Sequence, residues 1–546
     1  MVFFPARTSC RVGIAAVTLA ACVSVAQAAP VATISGGIPA AVANGRASLI
    51  GPAPADQVMH LAIAMPQRNV AALDDLLRDI YNPRSPNFRH YLTVAAFTER
   101  FGPTQSDYDA AVQFFASQGL AIEARTANRN IIDIAGKVAD LNRVFHISLG
   151  MYRHPVESRT FISPDRAPTL DLAVPVQQVI GLDDYVKPYT KLVFPAKKNP
   201  PPGVGGSGPQ GYFIGSDMRA AYYPTGSLNG AGQSVGLMEL EGYNIADVNS
   251  FFAKKYGADN NVDVVGVKTD SASLNCTGSC DDTEQALDIE YTISVAPSLA
   301  SVRVYVGNIP EDVLNAMASD NLSKVLSTSW GWNENFAVDD GVFKEFAAQG
   351  QTNLTASGDY SSLQDSGPWP EEDANIVAVG GTDVTTKTPG GPWSGETGWS
   401  GSAGGPSLDK SIKIEPYQKP FINKKNAGSK KLRDVPDVAA NADTDMYLCA
   451  DGTCVGGYGG TSFASPMWAG IVAMANQQAA AAGGNPVGFI NPAIYALATN
   501  KTAYATQFHD ITVGTSGVYH CTRSYDLVTG LGSPQGQTFI DALVGN

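Results

Sequence analysis

The sequence predicts an α/β domain built on a doubly wound parallel sheet, preceded by a smaller α+β unit. Three observations carry this. At 546 residues the chain exceeds one ordinary domain. Beyond Tyr212, strand-like runs at Ser234–Glu239, Val302–Val306, Val325–Trp330, Thr352–Ala356 and Ile376–Val379 alternate with helical stretches, the layout of a parallel sheet covered by helices. Between this region and the first part lies the stretch 190–209, with Lys197-Lys198-Asn199-Pro200-Pro201-Pro202-Gly203 followed by a Gly/Ser run. That composition favours an exposed, cleavable linker.

In chain order, Arg7 and Arg11 precede an apolar stretch, and Ala26-Gln27-Ala28 resembles a signal-peptidase site, so residues 1–28 read as a signal peptide. Leu19-Ala20-Ala21-Cys22 also fits a lipoprotein box, which would leave Cys22 lipidated. The A-x-A site follows a complete apolar region and favours cleavage after Ala28. Both readings take the protein out of the cytoplasm, to the exterior or the periplasm. No later apolar run reaches the roughly 18 residues of a membrane span.

Residues 29–50 are Ala/Gly/Val-rich and read as loosely ordered. His60–Met65 reads as a strand and Val70–Tyr81 as an amphipathic helix with Leu73, Leu76, Leu77 and Ile80 on one face. Helices over 94–101, 104–118 and 138–145 and strands over 121–125, 131–134 and 148–153 complete a mixed α+β unit within residues 29–189. Residues 210–546 form the larger domain.

The charge is unevenly divided. Residues 1–204 carry 19 Lys+Arg against 15 Asp+Glu, and residues 205–546 carry 18 against 36. A mildly basic first unit docking on an acidic body is expected, and falling pH would weaken that hold by neutralising carboxylates. So acidic a body argues against nucleic-acid binding. Of seven cysteines, Cys276/Cys280 and Cys449/Cys454 are close pairs, expected as local disulfides in an oxidising compartment, with Cys521 left over. Neither pair has the companion cluster of a zinc site.

The chemistry centres on Gly459-Gly460-Thr461-Ser462-Phe463-Ala464-Ser465-Pro466, followed by the apolar run Met467–Ala475. A glycine turn hands over to a buried helix, with Pro466 expected in its first turn. Ser462 then lies beside unpaired N–H groups and the positive dipole end, where a developing oxyanion can be met. Gly-Thr-Ser-x-x-x-Pro resembles the serine motif of subtilisin-like peptidases, but no histidine lies between His154 and His509. A histidine base preceding the serine in the larger domain is therefore excluded.

Glu284-Gln285-Ala286-Leu287-Asp288 supplies the alternative. Residues four apart share a helix face, and two close carboxylates titrate as a coupled pair. Glu284 can accept the serine proton while Asp288 orients it, an arrangement suited to acidic conditions because a carboxylate is a weaker base than imidazole. Asp359, in Ser357-Gly358-Asp359 just past a strand, can donate to an oxyanion if it stays protonated. Gly398–Gly405 and Ser329–Trp332 read as loops near a bound peptide, where strand-like pairing needs flexible backbone and aromatic walls.

Taken together these motifs resemble the sedolisins, the serine-carboxyl peptidases. His90-Tyr91-Leu92-Thr93 with Phe101-Gly102-Pro103-Thr104 is similar to a kumamolisin-type propeptide. The resemblance implies a subtilisin-like fold, with Ser462 as nucleophile, Glu284 as base, Asp288 as its partner and Asp359 as oxyanion acid; Glu239 and Trp330 would extend the network. It also implies one calcium ion, held by Asp510 and Asp526 with carbonyls from Ile511, Thr522 and Ser524, although Thr522 and Ser524 stand where relatives often have glycine. The expected protein is a monomeric, secreted, acid-active endopeptidase inhibited by its own prodomain (residues 29–189). A tripeptidyl exopeptidase and an inactive binding protein are the alternatives.

Overall fold

The computed structural model describes residues 32–34, 37–193, 205–278, 280–333, 335–367 and 369–545. The expected signal peptide and most of the expected linker lie outside the described residues.

The first unit is α+β, as its mixed periodicities predict. A four-stranded antiparallel sheet runs in the order Ala121–Arg125, Ile131–Lys137, Val58–Ala64, Gln178–Ile180. Val70–Ile80, Val94–Arg100 and Gln105–Ser117 are helices, the last two capped by the Thr93 and Thr104 side chains. One expectation needs correcting. Part of the stretch read as loose forms a short helix, Ala40–Ala43, and a strand, Ser48–Pro52, paired antiparallel with Leu149–Arg153. Leu49 and Ile50 remain exposed, so backbone pairing holds this strand and no apolar face announces it.

The larger domain has the predicted parallel sheet. Its order is Asp263–Lys268, Ser301–Val306, Ser234–Glu239, Val325–Thr328, Thr352–Ala356, Val377–Thr386, with Trp393–Gly398 antiparallel and Val438–Asn441 parallel to Val377–Thr386. The run read as one strand over 325–330 divides. Val325–Thr328 stays in the sheet, whereas Trp330–Gly331 turns away and pairs antiparallel with Tyr189–Thr190 of the first unit.

Two helices lie at the centre of this domain. Thr283–Val295 is buried along its whole length, carboxylates included. It packs against Thr461–Ala481, whose residues from Thr461 to Asn476 are all buried. An apolar helix of this kind has no polar face, and its carboxylates must find partners inside the protein.

The first unit docks on the larger domain mainly through neutral contacts. The Arg89 guanidinium donates to the carbonyls of Leu543 (2.8 Å) and Val544 (3.1 Å), closing the C-terminal end of the Gly536–Gly545 helix. Asn128 and Asn130 donate to the buried Glu345 carboxyl, and the Tyr81 hydroxyl to Ala347 O at 2.7 Å. Among the described residues, the ion pairs made to the larger domain by the linker and the first unit are Lys191–Glu371 and Lys344–Asp74, respectively. The second has its charges opposite to the expected sense. Shape and hydrogen bonding, rather than net charge, hold this interface.

Candidate active site

The helix beginning at Thr461 positions Ser462. Gly460 precedes it at φ +139°, and a Cβ there would lie 2.6 Å from Asp359 Oδ2 and 2.8 Å from the Lys191 carbonyl oxygen. Backbone geometry and close approach both demand glycine. Pro466 lies further into the helix than the first turn expected for it, at the position whose N–H would serve the Ser462 carbonyl. The Ser329 hydroxyl approaches that carbonyl instead, at 3.3 Å.

Glu284 and Asp288, one turn apart on the buried helix, face the same space. Burial raises the pKa of both well above the carboxylate range. For Glu284, the Asp288 charge adds to the rise and the adjacent Ser462 hydroxyl opposes it. Neither Glu284 oxygen has a well-formed hydrogen bond, because the Ser462 hydroxyl donates to the Lys191 carbonyl.

Asp288 acts on Glu284 through charge; its own hydrogen bonds go elsewhere. Oδ1 accepts from the Ser329 hydroxyl at 2.9 Å, and burial together with the Asp288 charge holds the neighbouring Glu239 well above the usual carboxylate range. Glu239 ends its strand with Oε2 accepting from Trp330 Nε1 at 2.9 Å. The Trp330 and Trp332 rings are buried with the cleft occupied, both within one apolar cluster.

Asp359 caps the serine helix. Its Oδ1 accepts from the Thr461 N–H and hydroxyl, both at 2.8 Å, while the buried Oδ2 has no partner. Burial pushes its pKa up to about 7, against the lowering effect of those two bonds and Lys191. Protonated, its free oxygen is a hydrogen-bond donor beside Ser462.

The cleft holds the chain's own segment 189–193, running as a substrate would. Tyr189 and Thr190 pair with Gly331 and Trp330, and the Lys191 N–H donates to Ser329 O at 2.9 Å. Past Leu192, the Val193 N–H donates to Gly459 O at 2.9 Å. This is β-strand addition on both sides of the serine. The Lys191 side chain is enclosed, its Nζ donating to Ala356 O at 3.0 Å and to Glu371 Oε2. Burial lowers the lysine pKa and raises that of Glu371 to about 7, and their mutual attraction opposes both shifts.

Sequence reading did not single out Lys191 or Glu371, and it named Ser329 only within a loop expected near the bound peptide. Lys191 is the second residue of the 190–209 stretch, but its register against Ser462, 271 residues later, has no sequence signal.

The residues named for calcium converge. Asp526 is fully buried, with Oδ2 accepting from Thr522 N at 2.9 Å and Oδ1 from the N–H groups of Val528 (2.9 Å) and Thr529 (2.8 Å). Asp510 Oδ1 accepts from Ser524 N at 2.8 Å, so both carboxylates are folded onto one loop. Burial raises Asp526 to about 7, a cost that a cation would relieve. Ser524 takes φ +72°, the left-handed backbone region that favours glycine. With the neighbouring Ile511, the donor set is all oxygen and fits calcium. Separately, Asp383, Asp443 and Asp445 present oxygens within 4.8 Å of one another.

The disulfides Cys276–Cys280 and Cys449–Cys454 are formed, and Cys521 is free and buried.

Known proteins resemble this chain over most of its length. The family model for the pro-kumamolisin activation domain matches residues 46–185. The chain is 29% identical over 505 residues to kumamolisin of Bacillus sp. (strain MN-32), covering 84% of this chain and 87% of that protein. It is 25% identical over 580 residues to tripeptidyl-peptidase sed4 of Aspergillus fumigatus, covering 89% and 92%. The solved Pseudomonas sedolisin, a serine-carboxyl proteinase complexed with two molecules of pseudo-iodotyrostatin, shares the fold with a TM-score of 0.54. That match is 23% identical and covers 63% of this chain and 99% of that one.

Proposed function

The chain belongs to the sedolisin family of serine-carboxyl peptidases and carries the family's activation domain, and we propose that it is a secreted, acid-active endopeptidase made as a zymogen. One observation carries the reading most strongly. The Ser462 hydroxyl is bonded to the carbonyl of a substrate-like segment, with Glu284 and Asp359 beside it.

Glu284 takes the proton of Ser462 as Oγ attacks the carbonyl carbon. Its raised pKa makes it a stronger base than an ordinary carboxylate, which lessens the mismatch with a serine hydroxyl. Protonated Asp359 donates to the oxyanion from a water-excluded position. Glu284 then returns the proton to the leaving amine, and water releases the acyl group by the same steps in reverse. Asp288 and Glu239 lie behind Glu284, and their charges add to the burial that raises its pKa. Asp359 loses its proton as pH rises through about 7, which favours activity on the acid side.

The endopeptidase reading is supported by the path of the segment. Counting back from the bond that follows Lys191, Tyr189 is the third residue on the acyl side, and the chain continues N-terminally through Pro188 and Lys187. A tripeptidyl site would be closed there to accept a free amino terminus. Residues 29–189 would block the cleft until cleavage. A calcium ion bound through Asp510 and Asp526, with carbonyls of Ile511, Thr522 and Ser524, would tie the C-terminal loop to the domain and supply stability.

The test compares the precursor with its Ser462→Ala variant at about pH 4, near the carboxylate range, by intact mass. Shortening of the parent alone supports the reading. If neither shortens nor digests a denatured protein, the inactive binding-protein alternative takes its place. Digestion of an N-terminally blocked protein separates endopeptidase from exopeptidase action.

A further inference from the structure

The peptidase reading leaves open which bonds are cut. The occupied cleft bears on this through a side chain that has no role in the catalytic network. Lys191, the residue on the acyl side of the bond nearest Ser462, sends its side chain into a closed pocket, where its relative exposure is 1% and that of Glu371 is 0%. The ammonium meets two acceptors there, Glu371 Oε2 and the Ala356 carbonyl.

A buried ion pair is poor evidence for stability, because the desolvation of both charges offsets most of their attraction. It is strong evidence for selectivity. Remove the ammonium and both Glu371 Oε2 and the Ala356 carbonyl lose the donor they share, while Glu371 Oε1 already lacks a partner. An apolar side chain of equal length would leave both groups unpaired, and an acidic one would add repulsion. The backbone register on either side fixes which residue enters. Lys191 pairs with Ser329 and Val193 with Gly459, so a one-residue slip would reverse the side chains and place Thr190 or Leu192 in the pocket.

Resting on the peptidase reading, we infer that this enzyme cuts after basic residues, lysine foremost, that Glu371 is the residue selecting them, and that its own Lys191–Leu192 bond is the first bond cut. In that first turnover the Ser462 Oγ–carbonyl carbon bond forms and the Lys191–Leu192 amide bond breaks. The serine proton passes through Glu284 to the Leu192 amine. Water then adds to the acyl-enzyme, freeing the Lys191 carboxyl group and restoring the serine hydroxyl.

The test uses the full-length precursor, brought to about pH 4 beside its Ser462→Ala variant, with the new N-terminus identified. The processed enzyme is then assayed on peptide pairs that differ only in lysine or norleucine at the acyl-side position. The expected N-terminus is Leu192, with kcat/KM at least about tenfold higher for lysine. Glu371→Gln should bring the lysine-to-norleucine ratio towards one, and Lys191→Met in the precursor should slow cleavage at that bond by a similar factor. Should Glu371→Gln fail to fold, the parent ratio and Lys191→Met still decide. A first cut elsewhere overturns the processing site, and a parent ratio near one overturns the pocket. Processing of Ser462→Ala like the parent instead overturns the peptidase mechanism itself.

Discussion

The Ser462 hydroxyl donates its proton to the carbonyl oxygen of Lys191 rather than to Glu284. Nucleophile and first substrate are in contact, yet the proton points the wrong way for attack. Rotation of the hydroxyl towards Glu284, whose oxygens stand unpartnered, would arm the serine.

Ser462→Ala should leave the precursor full-length under conditions that process the parent. The loss of processing rate should be on the order of 10⁴-fold or more, as for removal of a nucleophile that acts as part of a unit. Time-resolved mass measurement reads it, and a melting midpoint near that of the parent confirms that the fold survives.

Asp359→Ala should lower the processing rate by about 10²–10³-fold, the usual effect of losing one oxyanion donor. Asp359→Asn keeps an acceptor for Thr461 and an N–H for the oxyanion, so its loss should be smaller. The parent's rate should fall as pH rises through about 7, where Asp359 ionises, and this limb should be absent in Asp359→Asn. Rate–pH profiles of the two precursors provide the check.

Ser329→Ala removes the donor that lowers the Asp288 pKa and the group that serves the Ser462 carbonyl at 3.3 Å. The acid limb of the profile should move to higher pH, with a rate loss of roughly tenfold, about that of one hydrogen bond to a charged group. Ser329→Thr should restore the profile. A purely structural role would lower stability without moving that limb.

The Ser462→Ala precursor should be most stable in acid. Burial raises Asp359, Asp373 and Asp434 to about 7 and Glu345 to about 8. A carboxyl whose folded pKa exceeds its unfolded value stabilises the fold while protonated. That contribution is complete below the unfolded value near 4 and is lost as pH rises through the folded value. Calorimetry should record a midpoint lower by roughly 10 °C at pH 8 than at pH 4.

Chelation of calcium should lower the melting midpoint of the same precursor by several degrees, and Asp526→Asn should abolish that dependence. Sensitivity to chelator that survives in Asp526→Asn would move the ion to another site, with the Asp383, Asp443 and Asp445 cluster the next to mutate.

Local pattern made much of this protein legible from its sequence. The glycine turn before Ser462, the four-residue spacing of Glu284 and Asp288, and the aspartate just past the Thr352–Ala356 strand are short-range features whose geometry the backbone dictates. The parallel sheet could be read because its central strands are apolar runs. Val438–Asn441 escaped notice, since four residues are too few to declare a strand. Pro466 was misplaced within its helix because the serine carbonyl it leaves unserved is met from Ser329, 133 residues away. The pairing of Lys191 with Glu371 lies 180 residues apart, and that of Glu239 with Trp330 91 apart. Sequence by itself determined the central helices and strands and the chemical groups they carry. Tertiary structure alone decided which of those groups meet, because burial and register, not spacing along the chain, choose the partner of each charge.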